Sequence, residues 1–199
     1  CASVPVVAHL WMRLLKNLIS ALAIAVATVG CSGTQAPHFR DVPPDVEPIT
    51  LDENFTEDER DAILTAAAQW NQAVGKYVQF TFAGTVPHDK VDAKLEELDQ
   101  QADGLVVMRH DPAEEDVCGP GALACASLRG HFMSFNPEVV GTRMVKDIAL
   151  HELGHHLGIN HINIRDSLMF PVYQGVDCID QETLKALATA RPTFRLEEM

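Results

Sequence analysis

The chain has 199 residues, 47% of them hydrophobic, which is enough for one domain with its own core once any targeting segment is set aside. With 28 acidic against 15 basic residues the formal net charge is -13. Such a surface repels nucleic acid and has no general attraction to anionic lipid, so neither is an expected partner. A peptide or protein substrate is not excluded, because the local field at a cleft can differ from the total.

In chain order, residues 1–11 precede Met12 and carry no readable role; they are set aside as a leader extension. Residues 12–31, MRLLKNLISALAIAVATVGC, have a basic head at Arg13 and Lys16 and an apolar stretch from Leu18 to Val29. That is the pattern of a secretory signal. Its end, Thr28-Val29-Gly30-Cys31, resembles a bacterial lipoprotein cleavage box in which the cysteine is lipidated, and Ser32 after it leans toward the outer membrane. A plain signal peptide and a single membrane anchor are the alternatives, although the apolar run is short for a full crossing. The expected location is outside the cytoplasm, at the outer membrane or beyond, with membrane contact only through the lipid or the signal. Cysteine use agrees with export: past the leader, Cys118 and Cys125 enclose a Gly-Pro-Gly turn and can close a small loop in an oxidising compartment. Cys178 is then left over, or pairs with one of the two.

Residues 32–55 are rich in Pro, Asp, Glu and Thr and read as an extended linker, with Pro43, Pro44 and Pro48 opposing regular structure. The remaining stretch, 56–199, reads as one domain. Thr56 to Glu59 is a capping box, and Ile63, Ala66, Ala67 and Trp70 follow at helical spacing, so the pattern predicts a helix over 57–74 with Gly75 as its stop. Tyr77 to Phe82 alternates like a strand, and Val91 to Leu98 is a short polar helix or an irregular segment. Gly104 to Met108 is a buried strand candidate and His131 to Phe135 a second one, with a loop over 111–128 between them. A helix is predicted over 142–157, a loop over 163–175 and a closing helix over 181–190. No internal repeat is present.

The chemistry lies in the eleven-residue run HELGHHLGINH, His151 to His161. His151 and His155 are four apart, about 40° off eclipsed on a helix, so both imidazoles share one face. Glu152 stands beside them. His161 joins them only if the helix breaks and the chain turns back, because a continued helix would aim it about 240° away. Gly158 sits where that break is needed and takes a positive φ without penalty. Three neutral imidazoles leave one position of a tetrahedral zinc site open for water. Zinc makes such a water acidic and polarises a carbonyl, and Glu152 is placed to take the water's proton and pass it to a departing amine. His156 points about 100° away from His155 and is read as structural.

HELGHHLGINH with SLMFP downstream resembles the metzincin clan of zinc peptidases, and most closely its matrixin branch. The resemblance implies His151, His155 and His161 as zinc ligands, Glu152 as general base, and Met169, eight residues after His161, as the apolar floor of a tight turn beneath the metal. It implies a wall of the S1′ pocket at Pro171, Val172 and Tyr173. It also implies an α/β (α+β) fold: a twisted mixed sheet with long helices, a small irregular C-terminal subdomain, and an extended substrate in the groove between, paired with an edge strand near 131–135. In matrixins a histidine of a second, structural zinc site stands where this chain has Cys125, so one zinc is expected rather than two. Asp111, Glu114, Glu115 and Asp116 form either a Ca2+ site or a solvated acidic loop. No cysteine between Ser32 and Val117 is available to cap the zinc as an inhibitory segment.

The expected activity is therefore that of a monomeric zinc endopeptidase. Two other functions fit parts of the pattern: a gluzincin-like peptidase whose third ligand is a later glutamate such as Glu182, and a zinc-containing binding module without catalysis. The intact Glu152 argues against the latter, because holding zinc does not need that carboxylate.

Overall fold

The computed structural model describes residues 43–110, 118, 119, 121–128, 130–136 and 142–196. The leader extension, the signal with Cys31 and the acidic residues Asp111 to Asp116 lie outside the described residues.

Five strands form one sheet in the order β2-β1-β3-β5-β4. The strands are β1 (Asp45–Asp52), β2 (Val78–Val86), β3 (Leu105–Arg109), β4 (Ala124–Ala126) and β5 (Phe132–Phe135). The first four in spatial order run parallel, and β4 closes one edge antiparallel to β5. Four α-helices accompany them: α1 (Glu57–Val74), α2 (Val91–Gln101), α3 (Thr142–His156) and α4 (Gln181–Ala190).

The element that departs most from expectation is β1. Residues 45–52 were expected within an extended linker, yet they are an interior strand with β2 on one side and β3 on the other. Its first half carries Pro48, the exposed Asp45 and the half-buried Glu47, which hides the pattern. Its second half, Ile49 to Asp52, is buried throughout, and a strand covered on both faces shows no polar alternation. A second correction concerns the edge. β5 is not the edge strand; it lies between β3 and β4, and the edge belongs to Ala124–Ala126, within the stretch expected to be loop. Three small residues are too few for a periodic signal, and backbone pairing to β5 decides their conformation.

The capping box at Thr56 is formed as the sequence implies: Thr56 Oγ1 accepts from Glu59 N–H, and the Glu59 carboxylate accepts from Thr56 N–H. α1 and α3 pack on one face of the sheet around Ile63, Trp70, Leu150 and Leu153, all fully buried. Trp70 Nε1–H donates to the Leu150 carbonyl at 2.9 Å, which pins the helix carrying the histidines to the sheet-bound α1. α2 covers the other face through Val91 and Leu98 against Val106 and Met108. Successive residues of β3 thus serve opposite cores, Leu105 and Val107 on one side, Val106 and Met108 on the other. That accounts for its unbroken apolar run.

Candidate metal centre and active site

α3 puts His151 and His155 one turn apart on a common face. Past His156 the chain closes the helix with a Schellman motif: Gly158 N–H donates to His155 O at 2.8 Å and Ile159 N–H to Gly154 O at 3.0 Å, with Gly158 at φ 94°. The reversal brings His161 back over the helix. His155 Nε2 lies 3.1 Å from His151 Nε2 and 3.2 Å from His161 Nε2, and the three ligand atoms all lie within 4.8 Å of one another.

Whether these residues suit a metal follows from their hydrogen bonds. His151 Nδ1 is 2.6 Å from the Leu168 carbonyl and His155 Nδ1 is 2.7 Å from the Ile159 carbonyl. Carbonyls only accept, so each Nδ1 carries the proton and each Nε2 presents a lone pair. Burial holds His151 down to about 4, against the Leu168 hydrogen bond and with repulsion from His155 and His161. Burial likewise lowers His155, opposed by its bond to Ile159. Both rings are neutral near pH 7, and their lone pairs face each other with no proton between. A cation seated among the three nitrogens suits that arrangement. Zinc–nitrogen bonds in a tetrahedral site place neighbouring nitrogens about 3.3 Å apart, close to the separations found.

Glu152 is buried and lines the same cleft as the histidines. Burial pushes its carboxyl up to about 8 in the metal-free protein, opposed by a hydrogen bond from the Ala126 backbone N–H. Its Oε2 has no hydrogen-bond partner among the described residues. The edge strand β4 therefore touches the carboxylate directly, a contact that residue spacing does not reveal.

Met169, singled out in the sequence, packs against α3 at Gly154. Met169 is fully buried, and a Cβ placed on Gly154 would come within 2.5 Å of its Sδ, so glycine at 154 lets the methionine press against α3. Ile162 N–H donates to Met169 O at 2.8 Å, tying the segment after His161 to the turn. The turn is fastened in its own right by Asp180, which no motif singled out. Asp180 Oδ2 accepts from Ser167 Oγ, Leu168 N and Thr183 Oγ1 at 3.1, 2.7 and 2.6 Å, while Oδ1 caps α4 through Glu182 N and Thr183 N. The chain of contacts runs from the start of α4 through Leu168 to the ring of His151. An aspartate before a helix is a readable cap, but its reach back to Ser167 and Leu168 is tertiary.

The cleft has a volume of about 720 Å³ and is bounded by Leu123 to Ala126 on one side and by Phe170 to Tyr173 on the other. Pro171, Val172 and Tyr173 are exposed and line it, and Tyr173 Oη donates to Asp147 Oδ2 at 3.2 Å. Glu182 is not part of the histidine cluster and pairs with Lys185 at 2.7 Å. His156 is turned away: it is buried, with Nδ1 on the Gly130 carbonyl and Nε2 3.6 Å from Glu47. Cys125 is bridged to Cys118, so its sulfur is no metal ligand; Cys178 is itself disulfide-bonded outside that bridge, so it is neither left over nor paired with either of the two as the sequence suggested.

A mixed α/β domain, a three-histidine cluster suited to zinc and a glutamate in the same cleft define a zinc metallopeptidase-like domain. The family model of the matrixins matches residues 50–186, and the chain belongs to that family. No curated protein matches the chain in sequence.

Proposed function

We propose that this protein is an exported zinc endopeptidase that binds an extended peptide along the open side of β4 and hydrolyses it at Glu152. The observation that carries the reading is the pairing of a three-histidine cluster with a buried carboxylate oxygen that has no hydrogen-bond partner among the described residues. His151, His155 and His161 would hold zinc, which when bound supplies Lewis acidity and an acidic water. Ala126 and its neighbours on β4 offer backbone groups to an added strand, the usual way an extended peptide docks on a sheet edge. Glu152 takes the proton released as water adds to the scissile carbonyl carbon and gives it to the amide nitrogen as the C–N bond breaks, leaving a carboxylate and an amine. The Leu168 carbonyl holds the His151 ring in place throughout.

Export is supported by the signal-like residues 12–31 and by the Cys118–Cys125 bridge, which persists in an oxidising compartment; Cys31 is the proposed lipid anchor. Fractionation of cells expressing the native chain and its Cys31→Ala form tests this, with the native form expected in the membrane fraction and the variant released from it. For catalysis the test is Glu152→Gln in the full chain. Zinc content should be unchanged while peptide hydrolysis falls by about 10²–10⁴-fold. Retained hydrolysis refutes the assignment of the base, and a wild type that cleaves no peptide in a broad library refutes the peptidase reading.

A further inference from the structure

Toward the N-terminal end of α3 the cleft lining is not apolar. Asp147 precedes His151 by about one helical turn, so its Cα lies about 6 Å down the α3 axis from that of His151 and on nearly the same face. It lines the cleft, and Tyr173 reaches it from the opposite wall. Aliphatic residues line the same cleft, Ile148 on α3, Leu123 ahead of β4 and Val176 beyond the turn. The cleft thus combines an apolar lining with a carboxylate one helical turn ahead of the first histidine.

The charges around that end are unequal. Asp147 Oδ1 is 3.4 Å from Lys146 Nζ, and the same ammonium is 3.8 Å from Asp177. Two carboxylates share one ammonium, and Lys146 does not line the cleft. Among the described residues that do, none is a lysine or arginine. The Tyr173 hydroxyl is raised by burial and by the neighbouring Asp147 carboxylate, in keeping with an anionic end.

Resting on the peptidase reading above, we propose that Asp147 determines specificity: the cleft takes a lysine or arginine side chain at P1′, its stem against Ile148, Leu123 and Val176 and its cationic head on the Asp147 carboxylate. A four-carbon lysine stem spans about one helical turn and packs on apolar walls while its head stays polar. An aliphatic side chain of the same length would leave the Asp147–Tyr173 pair without a new partner and desolvate it.

The experiment is a P1′ peptide library cleaved by the zinc-loaded full chain and by Asp147→Asn, Asp147→Leu and Tyr173→Phe. The wild type should favour Lys and Arg over Leu by about tenfold or more in kcat/KM, as expected where a polar site loses its partner. Asp147→Asn should bring that ratio close to one, Asp147→Leu should invert it, and Tyr173→Phe should keep it. Zinc content and melting temperature matched to wild type separate the effect from misfolding, with the near-isosteric Asn variant the safeguard. An aliphatic P1′ preference in the wild type, or a basic preference that Asp147→Asn leaves intact, overturns this inference and leaves the peptidase standing. Absence of any cleavage by the wild type overturns both.

Discussion

Replacing Asp180 with alanine should loosen the metal centre from a distance. The carboxylate is the N-cap of α4, and losing such a cap costs about 1 kcal/mol. It is also the acceptor for Leu168 N–H, Ser167 Oγ and Thr183 Oγ1, all on buried residues, and stranding such donors costs about 1–3 kcal/mol. Together the loss is about 3 kcal/mol, or about 6–12 °C in melting temperature for a domain of this size. Leu168 also presents the carbonyl that orients His151, so zinc affinity should fall by about tenfold or more. Asparagine should not rescue, because two carboxylate oxygens accept five donors here and an amide turns an NH2 against some of them in either orientation. The same bonds set a pH dependence. Burial raises the Asp180 pKa, but the hydrogen bonds from Thr183, Leu168 and Ser167 outweigh it and the net shift is downward from 3.8. A folded-state pKa below the unfolded one adds stability that is present above the unfolded pKa and lost as pH falls through the folded pKa. Thermal melts of native and Asp180→Ala protein, with zinc titrated by a competing chelator, read all of this; the gap between the two melting temperatures should narrow below about pH 4. An alanine variant that melts with the wild type and binds zinc equally well would refute the reasoning.

Two further outcomes test the local architecture. Gly158→Ala places a Cβ at φ 94°, a strain of about 1–2 kcal/mol, and its relief would shift His161; zinc affinity should fall even though no ligand is changed, measured by chelator competition. Thr56→Ala removes the side-chain half of the α1 capping box and should cost about 1 kcal/mol in denaturant unfolding, while zinc content and kcat/KM stay at the wild-type level.

The metal-binding segment was readable because its determinants are local. Four-residue spacing fixes two imidazoles on one helical face, and a glycine at position 158 permits the reversal that His161 needs. α1 was readable for the same reason, with a cap at Thr56 and an apolar stripe from Ile63 to Trp70. β1 was not, because Ile49 and Leu51 acquire their meaning only from neighbours far along the chain. β4 was not, because Ala124 to Ala126 become a strand only by pairing with β5.

The sequence by itself therefore determined the donor set, the helix that carries it and the turn that completes it, since each depends on residues within a few positions of one another. The tertiary structure alone decided what surrounds those donors. It set Ala126 on Glu152, Leu168 and Asp180 behind His151, and Asp147 across from Tyr173. Each of these is a contact between separate elements, and its existence follows from how the sheet and helices pack, which spacing along one segment does not encode.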